Sequence, residues 1–110
     1  MDDHAFSAEI IEIPEEVRVR LHGDLNARAD APMADAYSQV AATGSHRIRL
    51  DFGEVGYINS TGIALVVRML ADARRDSRSV TAVGLTPHYL EIFRITRLSD
   101  FMDIVEGDAA

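Results

Sequence analysis

Asn59, Ser60 and Thr61 stand together between Ile58 and Gly62, three polar side chains at a change of sequence pattern. Upstream, Ile48, Leu50 and Phe52 alternate with Arg47, Arg49 and Asp51, the period of two that marks a strand. Gly53 and Gly56 are read as breaking it. Downstream, apolar residues recur at helical spacing, so Ser60 or Thr61 is expected to cap the amides of a helix that begins near Gly62. A hydroxyl in that place suits two chemistries. It can be an ordinary helix cap. It can also accept a phosphoryl group, because free amides and the helix dipole favour an anion there. The added charge of about −1.5 to −2 would then disturb any partner docked over the spot. Ser60 is the candidate phosphoacceptor.

Other chemistries find little support. The four histidines, His4, His22, His46 and His88, have no H-x-x-x-H spacing, and surface positions are expected for them. Cysteine is absent, which removes thiol catalysis and thiolate metal sites. Ser60 has no G-x-S-x-G setting, and the glycines form neither G-x-G-x-x-G nor a Walker loop. The expectation is a non-enzyme with no cofactor and no metal. With 11 basic against 18 acidic residues and a net charge of −7, nucleic acid and anionic membranes are poor partners. No apolar run reaches the ~18 residues of a membrane helix, and Met1-Asp2-Asp3-His4 is acidic where a signal peptide is basic. A cytoplasmic protein is expected.

The elements that would hold Ser60 follow from pattern. At 110 residues, 47% hydrophobic and 26% charged, the chain suits one folded domain, with 1–7 and 107–110 as flexible ends. Residues 8–13 and then Val17, Val19 and Leu21, alternating with Arg18, Arg20 and His22, predict a hairpin turned at Pro14-Glu15. Gly23-Asp24-Leu25-Asn26 is read as the loop that ends it. A helix is expected from Asp30, as its cap, to Thr43, with Gly44 as its stop. The central strand, His46 to Phe52, follows. Then come the helix from Thr61 to about Asp76, a strand at Ser79–Gly84, a helix from Pro87, and a closing segment with Leu98, Phe101, Ile104 and Val105. This β-β-α-β-α-β-α-β order predicts an α/β fold: a mixed sheet of four to five strands, mostly parallel, with its helices mainly on one face. Arginines at alternate positions of two strands imply a wet opposite face.

In the helix after Ser60, one stripe of Ile63, Val66, Val67, Leu70 and the Arg74 stem is taken as the buried side, with Ala73 at its edge. Leu65 and Met69 then project away from it. Either they form an exposed docking surface, or they pack under a neighbouring element.

Leu50-Asp51-Phe52 through Ile58-Asn59-Ser60-Thr61-Gly62-Ile63 resembles the STAS domain, whose pattern is a hydrophobic strand, a loop, and Asp-Ser-Ser/Thr-Gly opening a helix. Gly23-Asp24-Leu25-Asn26 resembles its Gly-x-Leu-Asp loop, and Gly84-Leu85-Thr86-Pro87 through Leu98 its closing strand and helix. The chain departs from the pattern at Asn59 and Asn26, where Asp is usual, and at Arg97, where Gly is. The resemblance implies an anti-sigma factor antagonist that binds an anti-sigma factor doubling as a serine kinase. The kinase, with its own ATP and magnesium, phosphorylates Ser60 and ends binding, and a serine phosphatase restores it. It implies a partner-binding surface of Asp24, Asn26, Asn59, Thr61 and Gly62 around Ser60, with Leu65 and Met69 along the helix. An alternative of another class is a constitutive STAS scaffold, such as an accessory subunit of a lipid-transport ATPase, which uses the same surface without phosphorylation.

Overall fold

The computed structural model describes residues 5–106. Residues 1–4 (His4 among them) and 107–110 of the expected flexible ends lie outside them, whereas Ser7 already opens the first strand. The chain runs β1 (Ser7–Ile13), β2 (Glu16–Leu25), a 3₁₀ turn (Ala27–Ala29), α1 (Asp30–Thr43), β3 (Arg47–Ile58), α2 (Ser60–Arg75), β4 (Ser79–Val83), α3 (Pro87–Ile95), a second 3₁₀ turn (Leu98–Asp100) and β5 (Asp103–Ile104). The sheet has five strands in the order β1-β2-β3-β4-β5. Only the β1–β2 hairpin is antiparallel, and the other pairs are parallel.

Alternation along the strands sorts the two faces. Val17, Ile48 and Val80 are register partners across β2, β3 and β4, as are Val19, Leu50 and Ala82, and all six are buried. Against this face lie Met33, Ala36, Tyr37 and Val40 of α1, Leu65, Val66, Met69, Leu70 and Ala73 of α2, and Tyr89 and Phe93 of α3, in one cluster. The Phe52 and Phe93 rings meet edge to face with centroids 5.6 Å apart, a favoured aromatic geometry. The opposite face carries Arg18 beside Arg49, and Arg20 beside Asp51. Arg18 and Arg49 share the Glu16 carboxylate at 2.7 and 3.2 Å, which offsets two like charges placed side by side. Chiefly through the hydrogen bond from Arg18, the Glu16 pKa is lowered.

Two strand ends differ from expectation, and the difference matters for the site. β3 does not stop at Phe52, and β2 does not stop at His22. Gly53 and Gly56 keep negative or extended backbone angles and stay in the strand. His22 pairs with Glu54, Gly23 with Val55 and Leu25 with Ile58, with two register shifts. The resulting two-stranded ribbon delivers Asn26 and Asn59 side by side.

Helix starts also shift. Asp30 is the first residue of α1 rather than its cap, and Ala29 before it makes no side-chain capping bond. Gly44, with φ 74°, ends α1 as its type requires. Thr86 caps α3 by accepting from the Tyr89 amide at 3.3 Å. In the closing segment Leu98 and Met102 are buried and Ile104 is partly buried against the core, while Phe101 and Val105, expected to help close it, are exposed.

The stripe expected on α2 is corrected. Leu65 and Met69 are buried at 7% and 3% exposure, and Val67 is 46% exposed. Leu65 and Met69 face Met33, Ala34 and Tyr37 of α1. A helix covered by the sheet on one side and by α1 on another buries a wider arc than one stripe. At its C-terminal end the Tyr37 hydroxyl lies 2.7 Å from Asp76 Oδ2 and 3.1 Å from the Asp72 carbonyl, so α1 and α2 are tied there by polar contacts. Arg78 donates to the Ser45 carbonyl at 2.9 Å and to the Tyr37 oxygen at 3.2 Å, which extends the tie to the start of β3.

Candidate functional site

The site forms where the β2–β3 ribbon ends. Asn59 caps α2: its Oδ1 accepts from the Gly62 amide at 2.9 Å, and its carbonyl accepts from Ile63 at 3.0 Å. The cap is therefore Asn59 rather than Ser60 or Thr61, which occupy the first helical positions. Asn26 does the same for the 3₁₀ turn, its Oδ1 accepting from the Arg28 amide at 3.0 Å. The two residues that replace the usual aspartates thus keep a carboxylate's acceptor role without its charge. The Asn59 amide donates to the Leu25 carbonyl at 3.2 Å, which fastens one loop to the other. Tyr89 of α3 supports the same corner, its hydroxyl oxygen accepting from the buried Ile58 amide at 2.9 Å.

With the capping work done by Asn59, Ser60 is released from it. Its side chain is exposed and makes no hydrogen bond among the described residues. Thr61 is exposed beside it, and Gly62 is buried. Asp24, Asn26, Ala27, Arg28 and Asn59 line an open cleft of about 450 Å³, closed on one side by Ala5 and Phe6. The site thus gathers Asp24, Asn26, Asn59, Ser60, Thr61 and Gly62 of the expected residues. It does not gather Leu65 and Met69, whose burial against α1 removes them from any docking surface.

Two neighbours escaped the reading of the sequence. Arg28 brings a cation to the cleft, although no basic residue stands in either loop motif. Its position two residues after Asn26 was the available signal. Tyr57 is 58% exposed only two residues before Asn59, because β3 runs on to Ile58. Among the described residues no cluster of three or more His, Asp or Glu could hold a metal ion. No helix among them is long and apolar enough to cross a membrane.

The site thus sits on a mixed-sheet α/β module that presents an unbonded serine hydroxyl at the start of α2. The profile of the family described as "Mlab, STAS domain" matches residues 12–106, and the chain belongs to the STAS domain family. It is 25% identical over 89 residues to an anti-sigma-B factor antagonist of Staphylococcus epidermidis, covering 81% of this chain and 82% of that one. Among solved structures, an anti-sigma factor antagonist from Mycobacterium paratuberculosis superposes with a TM-score of 0.80 at 12% identity, over 97% of this chain and 91% of that one. The anti-sigma factor antagonist SpoIIAA in its unphosphorylated form gives 0.70 at 19% identity, over 94% and 89%. SpoIIAA of Bacillus in its phosphorylated form gives 0.67 at 19% identity, over 94% of each chain. At these identities the structures speak for the fold.

Proposed function

We propose that this chain is an anti-sigma factor antagonist: a non-enzymatic binding module that engages an anti-sigma factor with serine kinase activity and is released from it by phosphorylation of Ser60. The observation that carries the reading is the Ser60 hydroxyl, exposed on the first turn of α2 and free of the capping duty that Asn59 performs. Relatives named as anti-sigma factor antagonists, and a phosphorylated form of one of them, support it. In the reaction Ser60 Oγ attacks the γ-phosphorus of the kinase's ATP, the Oγ–P bond forms, ADP leaves, and the hydroxyl proton passes to a base on the kinase. This chain supplies the acceptor and its orientation; the kinase supplies ATP and magnesium. The product dianion sits among the first amides of α2, where it is tolerated, but on a surface a partner must desolvate, where it is not. Asp24, Asn26, Asn59, Thr61 and Gly62 frame the contact, a serine phosphatase resets it, and the relay works in the cytoplasm.

The test is intact-mass measurement and peptide mapping of the protein from its own host, beside Ser60→Ala. A phosphate-sized increment located on Ser60 and lost in the variant is expected. Wild-type protein that stays unmodified across growth conditions removes the switch and leaves a constitutive scaffold.

A further inference from the structure

The outer face of α2 is unlike the rest of this acidic chain. Ala64, Val67, Arg68, Ala71, Arg74 and Arg75 are all exposed on it, and no acidic residue of α2 is fully exposed beside them, in a protein of net charge −7. Where the C-terminal half of α2 meets the segment after α3, an apolar groove of about 260 Å³ opens. Val67, Leu70 and Ala71 form one wall and Leu98 and Phe101 the other. Phe101 is 53% exposed and Val67 46%, so their apolar surface faces solvent.

Charge at the groove is unevenly settled. Arg68 pairs with Asp30 at 2.7 Å, Arg75 with Asp72 at 3.1 Å, Arg97 with Asp100 at 2.8 Å, and Arg94 with Glu106. Arg74 lies over the Phe101 ring at 5.5 Å from its centroid and has no carboxylate partner among the described residues. These carboxylates are thus taken, and one guanidinium at the lip of an apolar trough has no carboxylate on it. Aromatic and arginine side chains together are what interface centres are rich in.

We propose that this groove docks an amphipathic helix of a partner protein, its apolar stripe between Val67 and Phe101 and one of its carboxylates on Arg74. A helix fits because the trough runs along α2 at positions 67, 71 and 74, and the small Ala71 allows close approach. An acid fits because Arg74 is the charge without a counterpart. Arg74 is 14 positions beyond Ser60, roughly 20 Å along the helix axis. The proposal goes beyond the reading of Ser60 and does not depend on its phosphorylation.

Two designed peptides test it on the full chain. Both are helical with leucines on one stripe; one carries glutamates on its flanks and the other lysines. Amide chemical shifts locate binding and give its strength. The glutamate peptide is expected to shift Val67, Ala71 and Phe101. Arg74→Glu is expected to weaken that peptide about tenfold or more and to bind the lysine peptide instead. Phe101→Ser is expected to weaken both, and Ser60→Ala to change neither. Because Phe101→Ser can disturb the fold, the Arg74 charge swap, at an exposed side chain, decides. Equal binding of both peptides to the wild type, shifts elsewhere, or self-association of the chain through this face in sedimentation would overturn the proposal.

Discussion

A Cβ built on Gly62 would lie 2.1 Å from the carbonyl oxygen of Leu25. That approach is closer than any side chain permits, so α2 begins directly against the end of β2. The glycine after Ser60-Thr61 is there because backbone meets backbone, and the contact sets where the Ser60 hydroxyl emerges.

Gly62→Ala is therefore expected to cost about 2–4 kcal/mol, since the obstacle is backbone that cannot swing aside. Gly44→Ala makes the useful comparison. Nothing lies within 4 Å of its Cβ, and only its φ of +74° opposes the change. About 1 kcal/mol is expected there. Urea unfolding of the two variants measures both, and equal losses would show that the Leu25 contact yields.

Asn59 offers a cleaner separation of fold from chemistry. Asn59→Ala removes the acceptor for the Gly62 amide and is expected to cost about 1 kcal/mol. Asn59→Asp keeps the acceptor and adds an anion at a helix start, so stability should change by less than about 1 kcal/mol, in the favourable direction. If Ser60 is then modified at a different rate in Asn59→Asp, the cause is charge at the site and not a loosened loop. Thermal melts of the three proteins give the stability half of this comparison.

Much of the fold was legible because hydrophobic period and turn chemistry agree. Val17, Val19 and Leu21 against Arg18, Arg20 and His22 gave the two faces of β2, and Gly44 gave the end of α1. What was not legible depended on tertiary partners. Gly53 and Gly56 break a strand only if the chain leaves the sheet, and here β2 continues beside them, with Gly23 against Val55. Local propensity yields to that pairing. The capping residue was missed for a related reason. Asn59, Ser60 and Thr61 are all competent caps, and only the position at which the ribbon ends selects Asn59.

The tie at the C-terminal end of α2 makes a prediction about acid. Asp76 is held at a pKa of about 2, below its ordinary 3.8, first by the hydrogen bond from Arg75 and then by that from Tyr37. A depressed carboxyl pKa stabilises the fold above the ordinary value, and the gain is lost as pH falls from about 4 toward 2. Asp76→Asn keeps an acceptor for Tyr37 but has no charge to lose. Its urea midpoint should fall below the wild type at pH 6 and converge with it by pH 2. Parallel curves across that window would remove Asp76 from the acid response.

The corrected face of α2 gives the sharpest contrast between two neighbours in sequence. Leu65 sits at 7% exposure against α1, and Val67 at 46% on the open side. Leu65→Asp would bury a carboxylate against α1, where the nearest cation, Arg68, already pairs with Asp30, and a loss of several kcal/mol is expected, enough to unfold a domain of this size. Val67→Asp leaves its charge in water and should cost about 1 kcal/mol or less, the helix propensity of aspartate being little worse than that of valine. Periodicity alone could not separate them, because Ile63, Leu65, Val66, Val67, Met69, Leu70 and Ala73 cover more than half of the helix circumference. A single apolar arc of that width is consistent with either residue facing in. Circular dichroism melts of the two variants decide it: a cooperative, soluble Leu65→Asp protein beside an unfolded Val67→Asp would reverse the orientation of α2, and with it the groove at Phe101.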